Sequence, residues 1–258
     1  MDEDLKIYVV THKDYPIVKD DLHLPLLVGA ENNEDTYGFL CDNEGDNISY
    51  KNDQYCELTG LYWMWKNCKN DYIGLCHYRR YFAMGPLGTK GIITSERCME
   101  LLENHDVIVH KRSIGFTLYD VSAYMITKEL LDESLDIFKR IYPDFSHDMD
   151  EVINSRQHYG HNMLIAKKEI FDGYCEWLFK YLEVLEDELD TENLRIFGYI
   201  SEICLSVYIR HHNLDAGNCP VDFVEAKSSI IANIIDDSVF VSYLFVIYRR
   251  LYDKFIGD

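Results

Sequence analysis

Residues 71–82, DYIGLCHYRRYF, open as an apolar run typical of a buried strand and end in a cluster of rings and cations. Three residues of that cluster, His77, Arg79 and Arg80, can carry a positive charge, although the chain has a formal net charge of -20. Guanidinium groups bind phosphate through paired hydrogen bonds, and aromatic rings stack on bases or sugars. The cluster therefore predicts a local site for an anionic ligand. The alternative is an exposed turn whose arginines pair with surplus acids, worth about 0–1 kcal/mol each.

The segments on either side alternate between strand-like and helix-like patterns. Short apolar runs are typical of strands, and apolar residues at three- and four-residue intervals are typical of helices. The strand-like runs are 6–12, 24–30, 71–78, 106–110 and 162–168, and the helix-like runs are 54–67, 95–104, 127–141, 169–188 and 197–212. The polar stretch 31–54 is rich in the turn formers Asn, Asp and Gly and predicts a loop. This alternation predicts an α/β fold with a mostly parallel sheet flanked by helices.

In such sheets, ligands bind outside the carboxyl ends of the strands. That rule places three groups of residues on one edge: Thr11, His12 and Lys13, then the cluster 77–81, then His110 with Lys111. Each of these strand ends carries basic residues. Their convergence again indicates an anionic ligand.

Composition and motifs exclude several classes of protein. With 45 acidic residues against 25 Lys and Arg, the chain lacks the surplus cations of a general nucleic-acid binder. It contains no P-loop, G-x-G-x-x-G, G-x-S-x-G or H-E-x-x-H motif, so the common ATPase, dehydrogenase and hydrolase classes lose support. The 8 cysteines form no C-x-x-C pair and indicate free thiols in a reducing compartment. An acidic N-terminus and the lack of a long apolar window complete the expectation of a cytoplasmic protein.

The chain shows no Pro/Gly/Ser-rich linker and no internal repeat. We therefore expect one domain over residues 1–225 and a C-terminal helical tail over residues 226–258. The end of the tail, SVFVSYLFVIYRRLYDKFIGD, joins an apolar run to basic residues. It fits a helix docked on the domain, and the alternative is an interfacial helix that binds the membrane surface peripherally.

Two motifs partly match known metal-binding patterns, but neither is complete. Asp42, Glu44 and Asp46 alternate as calcium ligands do, but Asn47 stands where an EF-hand requires Gly. The two histidines in HYGHN (158–162) are too few to form a metal site, and their spacing does not indicate which other residues would be ligands. The sequence therefore predicts no metal and no cofactor.

The stretch RIFGYISEI (195–203) marks the start of a helix. Gly198 would allow a close approach, and Ser201 could cap the helix. Glu202 is then either a first-turn acid favoured by the helix dipole or a general base near a reacting hydroxyl. The residues alone do not separate these two interpretations.

Taken in order along residues 5–225, seven blocks resemble one family. The blocks are KIYVVTHK, LPLLVGA, GDNISYKN, YCELTGLYWMWKN, IGLCHYRRYF, NMLIAKKEIFDGYCEWLF and RIFGYISE. They are similar to the bacterial capsular and exopolysaccharide biosynthesis glycosyltransferases long filed as a domain of unknown function. The resemblance implies a GT-A-like, Rossmann-like fold and a hexosyltransferase that moves a sugar from a nucleotide donor to a growing capsular, exopolysaccharide or lipopolysaccharide glycan. Some relatives are linked to galactofuranose.

The resemblance also assigns residues. A UDP-sugar donor would be bound by Thr11, His12, Lys13, His77, Tyr78, Arg79 and Arg80. The sugar and acceptor pocket would be formed by Asp46, Asn47, Lys51, Asn52, Glu57, Thr59, Asn162 and Arg195. Glu202 would be the base of an inverting reaction, with Asp46 and Glu57 as the next candidates.

Metal-dependent GT-A enzymes carry an Asp-x-Asp at a strand end, where this chain has His77, Tyr78 and Arg79. Cations can replace a metal in neutralising the leaving diphosphate, so the resemblance implies a metal-independent enzyme. Its partners would be the nucleotide sugar and a glycan or lipid-linked acceptor, at the inner face of the plasma membrane. The segment 111–126 is shorter than in the family. The alternatives are a phosphoryl-transfer enzyme that uses the same cations and a non-catalytic module that binds nucleotide sugars or glycans.

Overall fold

The computed structural model describes residues 4–18, 20–85, 91–189 and 195–224. The predicted tail, residues 226–258, lies outside them. The strands are β1 (Leu5–Thr11), β2 (His23–Leu27), β3 (Leu40–Cys41), β4 (Tyr72–His77), β5 (Arg80–Phe82), β6 (Val107–Ser113), β7 (Gln157–Lys167), β8 (Ala216–Asn218) and β9 (Val221–Phe223). The α-helices are α1 (Asn52–Tyr55), α2 (Leu58–Asn67), α3 (Ser95–Leu102), α4 (Leu118–Ile126), α5 (Lys128–Ile141), α6 (Ser146–Ile153), α7 (Lys168–Glu188) and α8 (Ile196–His211).

Within the described ranges, nine strands form one sheet. Its main path runs β3-β2-β1-β4-β7-β6-β8, and β5 joins β4 to β9 at the side. The strands from β3 to β4 are parallel neighbours, β7 is antiparallel to both β4 and β6, and β8 is parallel to β6. Six of the seven strands on the main path therefore point the same way. This confirms the predicted α/β fold with a mostly parallel sheet flanked by helices.

The central strands are apolar throughout because both faces of the sheet are covered. Along β1, Ile7 and Val9 pack into a core that includes α3. The intervening Tyr8 and Val10 pack into the larger core with α1, α2 and α4 to α8. No helix in the described ranges is both long and apolar enough to cross a membrane.

Several predicted elements have different bounds, for example the strand predicted over 106–110, which runs to Ser113. The strand predicted over 24–30 ends at Leu27, because Asp42 accepts hydrogen bonds from the backbone N–H groups of Gly29 and Ala30, both at 3.0 Å, and turns the chain. The helix predicted over 54–67 is two helices, separated at Cys56, whose φ is 50°. The strand predicted over 162–168 begins earlier, at Gln157.

The sequence patterns missed α4, α6 and the short strands β3, β5, β8 and β9. Helix α4 begins with a capping box, in which Thr117 accepts a hydrogen bond from the backbone of Asp120 and Asp120 accepts one from Thr117. A Thr-x-x-Asp before a mixed apolar run carries that signal weakly. The short strands have two or three residues each, too few to show a period.

Candidate active site

A cavity of about 650 Å³ lies at the edge of the sheet where β1 and β4 end. The two ends meet because Val10 pairs with His77 and the backbone N–H of Tyr78 donates to the carbonyl of Val10. Nine of the predicted site residues line this cavity: Thr11, His12, Asn52, Glu57, His77, Tyr78, Arg80, Arg195 and Glu202. The expected ligand edge of the sheet therefore gathers most of the predicted residues in one place.

The cluster 77–81 divides between the cavity and the core. Strand β5 turns back at once, so Arg80 pairs with His77 and both line the cavity. Tyr81 is fully buried on the other side, and its hydroxyl accepts a hydrogen bond from the backbone of Val18. Of this cluster, His77 and Arg80 therefore belong to the cavity, and Tyr81 belongs to the hydrophobic core.

Tyr78 is surrounded by rings and cations at the edge of the cavity. The rings of His12 and Tyr15 meet it edge-on, with centroids 5.5 Å and 4.8 Å away. The Lys13 ammonium and the Arg79 guanidinium lie 5.5 Å and 4.9 Å from its centroid. Lys13 and Arg79, both predicted donor ligands, thus contact Tyr78 without lining the cavity.

Two of the three histidines that line the cavity, His12 and His77, are neutral near pH 7. Burial, with the neighbouring Arg80 charge acting in the same direction, lowers the pKa of His77 to about 4. Burial also lowers the pKa of His12, with the charges of Lys13, Arg79 and Arg195 acting in the same direction. His77 Nε2 lies 2.6 Å from the carbonyl oxygen of His161, which can only accept, so the proton is on Nε2. The positive charge in the cavity is therefore supplied by Arg80 and Arg195.

Glu202 lies inside α8 rather than at its start. Because α8 begins at Ile196, Glu202 is in the second turn, and the interpretation as a first-turn acid does not hold. Ser201 is likewise no cap: its hydroxyl donates to the carbonyl of Gly198 at 2.7 Å. A Cβ on Gly198 would meet only Cys56 at ordinary contact distance, so no close approach requires this glycine.

Three carboxyl groups line the cavity, those of Glu57, Glu202 and the exposed Asp53. Burial raises the pKa of Glu202, and the charge of Glu57 raises it further, against the opposing effects of Arg112 and of the His161 backbone N–H. Burial also raises the pKa of Glu57, against a hydrogen bond of 2.8 Å from the Asn162 amide. A carboxylate with a raised pKa can take a proton near neutral pH, which is what a general base requires.

A bulge in β7 holds these groups in place. The register between β6 and β7 shifts between Val109 and Lys111, and opposite the shift His161 and Asn162 have φ values of 67° and 53°. Such backbone is costly for residues other than Gly and is concentrated at functional sites. The His161 carbonyl accepts from His77, and the Asn162 amide donates to both Glu57 and Ser201. The predicted pocket residue Asn162 is therefore buried behind the cavity and orients Glu57.

The structure does not bring four other predicted pocket residues to the cavity. Asp46 and Asn47 make their hydrogen bonds within their own loop and to α2. Lys51 pairs with Glu186 at 2.6 Å, and Thr59 is fully buried at the start of α2. The resemblance assigned all four to the pocket, but Asp46 and Asn47 bond within their loop and to α2, and Lys51 and Thr59 are held by Glu186 and by burial.

Two residues at the cavity were not predicted to belong to the site. They are His161, whose ring stacks on that of His110 at 6.2 Å, and Tyr199, which lines the cavity one turn after Arg195. The signal for His161 was its neighbours in HYGHN, where Gly and Asn interrupt an apolar strand. In the described part of the chain, no three His, Cys, Asp or Glu side chains are arranged to hold a metal ion.

Residues 6–213 match a family described as Domain of unknown function (DUF4422). No curated protein is significantly similar to the chain. Among solved structures, the apo structure of the WbbM bifunctional glycosyltransferase matches with a TM-score of 0.76 and 28% sequence identity. The match covers 87% of this chain and 46% of that one, so this chain corresponds to less than half of that protein. The chain belongs to the DUF4422 family, and most of its length is similar in fold and sequence to part of a bifunctional glycosyltransferase.

Proposed function

We propose that this protein is a glycosyltransferase that moves a sugar from a UDP-sugar to a growing capsular, exopolysaccharide or lipopolysaccharide glycan. The observation that carries the proposal is the cavity itself, which combines Arg80, Arg195 and the ring of Tyr78 with the carboxyl groups of Glu57 and Glu202. The similarity to a bifunctional glycosyltransferase supports it independently.

The donor diphosphate would bind between Arg80 and Arg195. Arg195 is the N-cap residue of α8, so the same end of the cavity receives the positive end of that helix dipole. Tyr78 and His12 offer aromatic faces and edges for the uracil or ribose. Both arginines would therefore stabilise the negative charge that develops on the diphosphate as its bond to the sugar breaks.

Glu202 would act as the general base of an inverting reaction. Its carboxylate takes the proton of the acceptor hydroxyl while that oxygen attacks the anomeric carbon, and the bond to the diphosphate breaks with release of the nucleoside diphosphate. Glu57, oriented by Asn162, would bind hydroxyl groups of the transferred sugar. Asp46, outside the cavity, has no part in this scheme.

The same geometry supports a metal-independent reaction. Preorganised cations stabilise the charge that develops on a leaving diphosphate. We expect transfer, followed as release of nucleoside diphosphate, to be the same within about twofold with and without EDTA, since Arg80 and Arg195 already supply about two positive charges there. Loss of activity in EDTA and its recovery with manganese would refute metal independence.

The donor is tested most directly by thermal shift. A UDP-sugar at one hundred times its Kd stabilises the folded state by about 2.7 kcal/mol, which raises the Tm of a domain of this size by roughly 5–10 °C. We expect UDP and one UDP-sugar to raise the Tm and the free sugar to have no effect. A panel of UDP-, GDP- and dTDP-sugars in which none raises the Tm would contradict the proposed function.

A second measurement separates an enzyme from a binding module. Transferases commonly hydrolyse their donor slowly without an acceptor, since water can replace the acceptor hydroxyl. Slow release of nucleoside diphosphate from the stabilising UDP-sugar is therefore expected, whereas a binding module releases none.

A lipid-linked acceptor would place the reaction at the cytoplasmic face of the membrane, where the tail, residues 226–258, would supply the contact.

A further inference from the structure

A second cavity of about 580 Å³ is lined by residues of the same two elements, α8 and β7, as the candidate active site. Along α8, Arg195, Tyr199 and Glu202 line the first cavity, and Ser206 and Arg210 line the second. These positions are three or four residues apart, so they form one stripe on the helix. Ser206 is one turn from Glu202, about 6 Å along the axis. The second cavity therefore begins one helical turn from the proposed base.

Strand β7 shows the same continuity. His161 lines the first cavity, and Gln157, His158 and Tyr159 line the second. At the junction, the stem of Arg112 crosses Gly160 so closely that a Cβ there would lie 2.4 Å from the Arg112 Cδ. The charge of Arg112 also lowers the pKa of Glu202.

The lining of the second cavity suits a neutral, hydroxyl-rich ligand. Asn154 and Gln157 present amides and Ser155 a hydroxyl beside the half-buried ring of Tyr159. Amides and hydroxyls can both donate to and accept from sugar hydroxyl groups, and an aromatic face packs on the apolar face of a sugar ring.

The charged side chains that line the second cavity balance one another, since Lys111 and Arg210 are matched by Asp150 and Glu151, so an anionic ligand would meet no surplus of positive charge there. Arg210 is paired with Asp148 at 3.0 Å and with Glu151 at 3.7 Å, and Asp150 is paired with Lys139 at 2.6 Å. Arg210 therefore already has acidic partners.

We propose that this second cavity, the α6–α8 groove, binds the acceptor as a neutral oligosaccharide. The sugars that precede the acceptor residue lie along the groove, and the terminal sugar reaches over the junction to place its hydroxyl at Glu202. This inference rests on the proposed function, because it needs a donor in the first cavity. It gives this enzyme an oligosaccharide rather than a monosaccharide as its preferred acceptor.

The test uses an array of short neutral bacterial oligosaccharides and the full chain. We expect the wild type to bind a subset of them, and Asn154→Ala and Gln157→Ala each to weaken that binding about three- to tenfold, as loss of one hydrogen bond does. The matched control is Asn104→Ala. Asn104 and Asn154 are both exposed and donate to the backbone carbonyl four residues earlier, at 3.0 Å and 2.8 Å. The control is expected to bind as the wild type does.

The outcomes separate the groove from the proposed function. If no oligosaccharide binds, or if Asn154→Ala and Gln157→Ala bind like Asn104→Ala, the groove is not the acceptor site. Thermal shift of the wild type with UDP-sugars reads the first cavity alone. Oligosaccharide binding that depends on Asn154 and Gln157, without any stabilisation by nucleotide sugars, would support a glycan site and refute the glycosyltransferase.

Discussion

The Glu202→Gln variant is expected to transfer sugar about 10²–10⁴-fold more slowly than the wild type, because the amide cannot accept the proton of the attacking hydroxyl. The side chain keeps its shape, so the affinity for the nucleotide sugar should stay within about twofold, as for a group that acts only in the transition state. The measurement is kcat from product formation, with donor affinity from thermal shift. A matched control is Glu188→Gln, a carboxylate on the surface that pairs with Arg140.

The pH profile gives a second readout of the same residue. Burial and the charge of Glu57 raise the pKa of Glu202, and the base works only when deprotonated. The rate is therefore expected to fall as the pH drops through that raised pKa, at a higher pH than an ordinary Glu would cause. In Glu202→Gln this acid limb should disappear along with most of the activity.

Glu57 is the other partly buried carboxylate in the cavity that could serve as the base, whereas Asp53, which also lines the cavity, is exposed. If Glu202→Gln retained a near-normal rate while Glu57→Gln lost it, the base would be Glu57, and Glu202 would be a ligand of the sugar. In the proposed scheme Glu57→Gln raises KM more than it lowers kcat. The amide of Asn162, 2.8 Å from the Glu57 carboxylate, holds it in place in either case.

The sequence anticipated the residues that follow strands and missed those that depend on loops. His77, Tyr78 and Arg80 could be placed because an apolar run predicts a strand and the carboxyl ends of parallel strands share an edge. Asp46 and Lys51 could not, because nothing in a polar stretch of this kind fixes the direction in which it folds. Local patterns thus located the edge of the sheet at which a ligand is expected, but they did not show which loop residues line the cavity there.

Two further properties of the site depend on burial and on backbone conformation, neither of which sequence patterns measure. The charge expected on His77 is absent near neutral pH because the ring is desolvated beside Arg80. The role of His161 depends on a bulge that gives two adjacent residues positive φ, and only the Gly and Asn around it hinted at that. Glu202 was found by its resemblance to a family pattern, and its place in the second turn depends on where α8 begins.

Replacing Arg80 or Arg195 by Gln is expected to weaken binding of the UDP-sugar by about ten- to a hundredfold each, the usual loss for a hydrogen bond to a charged partner. Arg80→Lys should recover only part of this, because lysine keeps the charge but lacks the planar fork that grips two phosphate oxygens. The affinity is measured by titration with UDP and with the UDP-sugar. Arg140→Gln, which removes an exposed arginine paired with Glu188, controls for the loss of charge alone.

The comparison of Arg80 with its neighbour Arg79 decides where the diphosphate lies. Arg80 lines the cavity, whereas Arg79 packs on the ring of Tyr78 and does not. If Arg79→Gln weakened the binding of UDP more than Arg80→Gln, the diphosphate would lie outside Tyr78 and the proposed arrangement would be wrong.

The charge of Arg80 also affects the titration of His77. Because Arg80 lowers the pKa of His77, Arg80→Gln should raise that pKa, which NMR titration of the ring can follow. A diphosphate bound at Arg80 would raise the same pKa in the wild type, so UDP should move the His77 titration upward there and much less in Arg80→Gln.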